Sequence, residues 1–481
     1  MIPLKFVKSV AKPKNSATSP HLTSRNFSTT NVDVFIVGGG VSGTALFYTL
    51  SKFTNVRRIV LCERRSDYGL VASHAKNNSQ TIHCGDIETN YTPETAIKVK
   101  RCADMLRNYL TKLPPSEAQR ICQIGQKMVL GVGDRECQFL SDRYKPFKEI
   151  FPTLEYLDKE QIRNVEPNVV KGRWRSERPE QLNALYVANE HTTAEYGLLS
   201  RSFIKSSMSL NDPYKSIQPL LNTTLKRVKP LDDGTYHVIT SAGNFNAKFV
   251  VFSACGYSLY FAHQLGYGLE YSVLPVAGSF YFAPNVLKGK VYTVQNPVLP
   301  FSAIHGDPDI LLSDKCRFGP TAVPLPFLER YNYWSLFAFL RVLKIDRNVM
   351  CVYKDLFTKP EILRYMIKNF FFEIPIISRI LFLKDARKIV PSLSFRDLEY
   401  SKGFGGVRPQ LIDKNQRKLL FGQTKISANT GLIFNVTASP GATTCLSNAE
   451  IDMRQICEYL DAKLDEASFK KELLQGDYPI L

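Results

Sequence analysis

Long apolar runs are missing. Nowhere in the 481 residues do eighteen apolar side chains follow one another, so the sequence offers no membrane-spanning helix. Paired cysteines are missing too. Cys62, Cys84, Cys102, Cys122, Cys137, Cys255, Cys316, Cys351, Cys445 and Cys457 are scattered, with no Cys-x-x-Cys and no Cys/His group at zinc spacing. Dithiol redox chemistry and a metal site are therefore not expected; buried, reduced thiols in a protein that is not secreted are. No dense Lys/Arg run with interleaved aromatics occurs, which argues against a nucleic-acid face. No acidic residue precedes Asp33, while Lys5, Lys8, Lys12, Lys14 and Arg25 do, among many Ser and Thr. That composition reads as a mitochondrial transit peptide over residues 1–30, and Arg25-Asn26-Phe27-Ser28 fits the Arg-x-Phe-Ser pattern at which such peptides are cut.

What is present is size and positive charge. A chain this long exceeds the size at which one core stops growing, so two lobes are expected. With 62 Lys+Arg against 44 Asp+Glu the net charge is +18, which calls for an anionic partner without choosing one.

The strongest local signal lies near the N-terminus. Val32, Val34, Phe35, Ile36 and Val37 make a buried parallel strand, and Gly38-Gly39-Gly40-Val41-Ser42-Gly43 follows at once. In this G-x-G-x-x-G, Gly38 permits the turn, Gly40 lets backbone approach a pyrophosphate, and Gly43 lets helix and strand pack closely. Ala45, Leu46 and Leu50 continue at helical spacing, and Ser42 stands at the helix start, where unpaired N–H groups meet phosphates. Residues 58–62 read as the second strand. Glu63, twenty positions after Gly43, ends it where an acid reaches a ribose hydroxyl. This is one complete dinucleotide fingerprint. A second is absent, so the dinucleotide is a resident cofactor and electrons leave by another route.

Three later segments extend the pattern. Residues 250–256 read as another buried strand ending in small residues. Residues 403–410 read as a glycine-rich turn carrying Arg408. A strand over 432–436 runs into Ser439-Pro440-Gly441-Ala442 and a helix over 446–460, whose N-terminus can face a flavin ring.

Several motifs resemble the malate:quinone oxidoreductase family, within the D-amino-acid-oxidase-like flavoproteins. They are the stretch from Ser79 through His83 to Glu88-Thr89-Asn90-Tyr91-Thr92, then Pro300-Phe301-Ser302-Ala303-Ile304-His305, Phe318-Gly319-Pro320-Thr321-Ala322, Arg408-Pro409-Gln410, and Ala438-Ser439-Pro440-Gly441-Ala442. They occur in family order. One departure stands out: Asp309 occupies a position where the family carries an arginine, which leaves the second carboxylate of the substrate to another cation, Lys315 or Arg317.

The resemblance implies an α/β fold, with a Rossmann-like FAD-binding domain and a second α+β substrate domain on a mixed sheet. The FAD domain is expected over 31–115, 190–273 and 400–460, the substrate domain over 116–189 and 274–399, and a tail over 461–481. It implies FAD as cofactor and malate and a ubiquinone-type quinone as partners. Arg408 would hold the carboxylate. His305 would be the base that takes the hydroxyl proton, with His83 its rival. Residues 327–390 mix aromatics with Arg341, Lys344, Arg347 and other cations. They read either as a face that docks on an anionic membrane, the mitochondrial inner membrane, or as helical core. Two other functions fit part of the pattern: an L-2-hydroxyglutarate dehydrogenase, and a non-catalytic dinucleotide-binding redox sensor.

Overall fold

The computed structural model describes residues 29–173, 176–296, 303–374, 376–420, 422, 424–437 and 439–475. The targeting segment therefore lies almost wholly outside the described residues, as do Pro300, Phe301, Ser302 and Ala438.

Two sheets organise the chain. In the first, the strands run in the order Thr424–Ala428, Leu432–Val436, Asn244–Phe252, Thr30–Val37, Arg58–Cys62, Ser216–Leu220, with the hairpin Leu225–Pro230 and Tyr236–Thr240 attached to Asn244–Phe252. Thr30–Val37 sits at the centre, parallel to both neighbours. Its alternation explains why it reads as continuously apolar. Val34 and Ile36 face one core with α1 (Val41–Phe53), while Phe35 and Val37 face the other. Strands buried on both faces have no polar side to show. α1 buries Leu46, Phe47, Leu50 and Phe53 completely, each worth roughly 1.5–3 kcal/mol by area removed from water.

The second sheet is mixed. Its order is Lys418–Leu419, Glu399–Asp413, Tyr271–Pro284, Lys315–Gly319, His305–Pro308, Lys290–Thr293, Cys122–Val132, Leu182–Ala194, Glu155–Leu157. Most pairs are antiparallel; Lys290–Thr293 runs parallel to Cys122–Val132. The sheets divide the chain at places other than the expected boundaries, since nearly all of Glu399–Asp413 and the end of Leu182–Ala194, expected in the FAD domain, belong to this second sheet. The glycine-rich segment around Arg408 is accordingly strand, not turn. It pairs with Tyr271–Pro284 through Arg408 opposite Val276 and Gly406 opposite Gly278. The glycines serve close approach: a Cβ on Gly406 would lie 1.9 Å from the Asn77 carbonyl, and Gly405 has φ +145°.

Four helices pack near this sheet: α2 (Ser335–Leu343), α3 (Arg347–Thr358), α4 (Pro360–Phe371) and α5 (Ile377–Ile389). Each buries an apolar face. Phe339 and Val342 of α2 join the first sheet's core, and Val349 and Val352 of α3 pack on Leu274, Val276 and Ile412. Their outer faces are apolar as well. Trp334 is 80% exposed, Tyr333 73%, Ile376 70%, and Phe337, Met350, Ile367 and Phe370 are about half exposed or more. Among the described residues no helix is long and apolar enough to cross a membrane. The last long helix, α6 (Cys445–Leu460), packs beside α1.

Candidate active site

A cavity of 580 Å³ is lined by Gly38, Gly40, Val41 and Ser42 on one side and by Ser439, Gly441, Ala442 and Thr443, just before α6, on another. The N- and C-terminal motifs thus meet in one space. Gly38 has φ +112°, and a Cβ there would lie 2.5 Å from the Ser253 carbonyl oxygen. Gly43 lies outside the cavity lining and does what its place in the motif demands, since a Cβ there would lie 2.0 Å from the Gly38 carbonyl. A Cβ on Gly40 would meet only the Ser73 hydroxyl, at 3.3 Å; its open side faces the cavity. α1 begins without a side-chain cap, so its first N–H groups are available to an anion, apart from Val41 N–H, which donates to Ser73 Oγ at 2.9 Å. Glu63 lines the cavity and accepts from the Gly39 and Arg65 N–H groups, 2.8 Å each. Ser253 Oγ, buried beside the turn, has no hydrogen-bond partner among the described residues. A strand, a glycine turn, an uncapped helix and an anchored acid are the parts a dinucleotide requires.

A second cavity, of 980 Å³, adjoins the first. His83, Arg408, Ser439 and Pro440 line both. His83 is held from two sides: its N–H donates to Thr443 Oγ1 at 3.1 Å, and its Nδ1 lies 3.0 Å from Glu88 Oε1. Burial alone would raise the Glu88 carboxyl. The His83 hydrogen bond and the charges of His83 and Lys127 outweigh it and keep Glu88 below the ordinary carboxylate range. An ionised Glu88 accepts from Nδ1–H and so leaves Nε2 as the ring's acceptor. Arg408 projects from Glu399–Asp413. Burial works against its charge, and the nearby phenols of Tyr365 and Tyr292 offset part of that cost. Gln410 Oε1 lies in the same wall with no partner among the described residues.

His305 lines neither cavity. It is 2% exposed and stacks behind Tyr292, ring centroids 4.6 Å apart, and Tyr292 lines the second cavity. Neither ring nitrogen has a hydrogen-bond partner among the described residues. Asp307 Oδ1 stands 3.5 Å from Nε2 and has no hydrogen-bond partner among the described residues, while Lys290 engages Oδ2 at 2.7 Å. Burial, followed by the charges of Lys290 and His83, pushes the His305 imidazole well below its usual range, so it stays neutral. Lys290 also reaches Thr81 Oγ1 at 3.2 Å, and Thr81 lines the first cavity.

Neither cation expected to replace the family arginine lines the second cavity. Arg317 is buried against Asp309, with Nε 2.7 Å from the carboxylate, and donates to the carbonyls of Ala75 and Asn78. Lys315 pairs with Glu399 at the surface. The acid that stands in place of the arginine therefore consumes its nearest cation. Besides Arg408, the cavity's cations are Lys359, Arg417 and Lys418, all exposed. Sequence reasoning assigned no role to Glu88, Lys290 or Tyr292. Glu88 had a signal, five positions after His83; Lys290 and Tyr292 had none, because only sheet pairing brings them near.

A family model described as malate:quinone oxidoreductase (Mqo) matches residues 30–475. The chain is 46% identical over 444 residues to the malate:quinone oxidoreductase of Helicobacter pylori (strain ATCC 700392 / 26695), covering 92% of this chain and 97% of that one. It is 44% identical over 447 residues to a probable malate:quinone oxidoreductase of Campylobacter jejuni subsp. jejuni, covering 92% and 99%. Among solved structures it resembles dithionite-reduced L-alpha-glycerophosphate oxidase from Mycoplasma pneumoniae with FAD bound, with TM-score 0.61 and 21% identity over 94% of this chain and all of that one. It also resembles glycine oxidase from Geobacillus kaustophilus, with TM-score 0.59 and 16% identity over 89% and 95%.

Proposed function

Because the chain belongs to the malate:quinone oxidoreductase family, we propose that it oxidises (S)-malate to oxaloacetate and delivers the electrons to a ubiquinone-type quinone, with FAD as its resident cofactor. Gly38, Gly40, Ser42 and the start of α1 would hold the pyrophosphate, Glu63 the ribose, and Ser439, Gly441 and Ala442 the flavin end. Bound FAD supplies the acceptor for the hydride leaving C2 of malate.

The protein's own residues do the rest. Arg408 grips a malate carboxylate with a planar pair of donors. His83, through Nε2, takes the hydroxyl proton. Glu88 fixes its tautomer and stabilises the imidazolium that results. His305 acts as a neutral support for Tyr292, which inverts the order in which sequence ranked the two histidines. The reading rests on one observation above others: His83 and Arg408 stand in the wall common to both cavities. An anaerobic titration of the purified yellow protein tests it. Malate should bleach the flavin, and L-2-hydroxyglutarate should not. A flavin that bleaches with neither acid would leave the sensor reading in place.

The enzyme works as a peripheral protein on an anionic bilayer, at the mitochondrial inner membrane. The exposed aromatics of α2–α5, among Arg341, Lys344, Arg347, Lys354 and Arg364, support the first statement. The composition of residues 1–30 supports the second, and the named relatives are bacterial. A reporter carrying residues 1–30 should enter mitochondria; one that stays cytosolic defeats the assignment.

A further inference from the structure

The substrate cavity is much longer than malate. Arg408 and Asp413 lie on one strand, and Asp413 pairs with Lys418, which lines the cavity's exposed end. Five residues of strand at about 3.3 Å each span roughly 16 Å. A four-carbon dicarboxylate is about 7 Å from end to end by ordinary bond lengths. Malate held by Arg408 therefore fills only part of a cavity of 980 Å³.

The unused part is chemically distinct. It is an apolar strip that starts at Val276, paired with Arg408, and continues through Val352 and Leu356 of α3, Ile362 of α4, and Leu419. The same lining carries the exposed charged residues Lys359, Arg417 and Lys418, with Asp355. The helices that supply the strip turn their opposite faces outward with Met350, Phe357, Leu363 and Ile367 exposed. One helix layer thus separates an apolar slot from an apolar surface.

We propose that this strip between α3, α4 and the strand Glu399–Asp413 is the quinone site. The ring would lie along it with its inner edge toward Arg408 and His83, and the isoprenoid tail would leave over the outer face of α3 and α4. A ring with an apolar body and two carbonyl acceptors matches a slot with apolar walls and donors in its lining; a second dicarboxylate does not. This rests on the malate:quinone reading. It adds that both substrates use one chamber, entering from its two ends' chemistry in turn, so steady-state kinetics should be ping-pong.

The test uses the FAD-loaded protein on vesicles and a photoreactive azido-ubiquinone. The label should map by mass spectrometry to peptides of α3, α4 and residues 411–420, and an unlabelled short-chain ubiquinone should displace it. Leu356→Trp and Leu419→Trp, both at half-buried positions, should raise the quinone KM at least tenfold and weaken labelling, while malate-driven flavin bleaching stays within twofold. Retained yellow colour reports folding for each variant. Label elsewhere in the chain, or equal losses in malate bleaching and quinone use, would overturn the site. A protein that malate fails to bleach but that carries the label on this strip keeps the quinone site and loses the malate reading.

Discussion

Arg408 and His83 are each replaceable by a residue that preserves one property and removes another. Arg408→Lys keeps the charge and loses the planar fork, so the malate KM should rise on the order of 10–100-fold in a protein that still binds FAD. His83→Gln keeps a polar ring-sized group that cannot take a proton. Stopped-flow reduction by malate should slow by about 10²–10⁴, the usual worth of a positioned base, with a smaller effect on binding. His305→Gln provides the contrast, since its ring is sealed behind Tyr292; its limiting rate should stay within a few-fold of wild type. A His305→Gln enzyme slowed as much as His83→Gln would return the proton to His305. Both histidines were visible in the sequence as members of family motifs. Which one lines a cavity was not, because that depends on a tyrosine brought by a neighbouring strand.

At the scale of elements, local chemistry carried the first half of the fold. Strand, glycine turn, helix and acid form as read, because each is specified by residues within a few positions of one another. The segment around Arg408 misled for a physical reason. Gly403, Gly405 and Gly406 suggest a turn, yet two of them let one strand pass close to Gly278 and Asn77, partners more than a hundred residues away. Gly406→Ala should therefore cost more than a surface glycine would. Its Cβ meets backbone, so loss of bound flavin and a lower melting temperature are expected, checked by absorbance and thermal unfolding. The α2–α5 layer was legible in composition but not in orientation. If its outer face docks on lipid, Trp334→Glu with Phe337→Glu should abolish sedimentation with anionic vesicles and leave malate bleaching intact. Salt should weaken binding of the native protein.

The molecule as a whole hides charge-bearing groups in states that acid disturbs. Burial, with Arg107 and Lys127 adding to it against the opposing Glu190, holds His191 down at about 4 from an ordinary 6.5. The folded state thus refuses a proton that the unfolded chain accepts. Stability is fully present above pH 6.5 and falls as pH drops from 6.5 toward 4, by up to about 3 kcal/mol for this residue. Thermal melts should show it, and His191→Gln should flatten the slope. The wall shared by the two cavities has a last consequence. His83, Arg408, Ser439 and Pro440 line both cavities, so on the proposed reading each borders the cofactor and the dicarboxylate. Whatever presses on one face steadies the side chains that the other occupant needs. Cofactor retention and dicarboxylate affinity then become one linked equilibrium, and the linkage must be reciprocal, commonly 1–3 kcal/mol in such cases. A non-oxidisable dicarboxylate should lower the Kd of FAD by the same factor by which FAD lowers the Kd of that dicarboxylate.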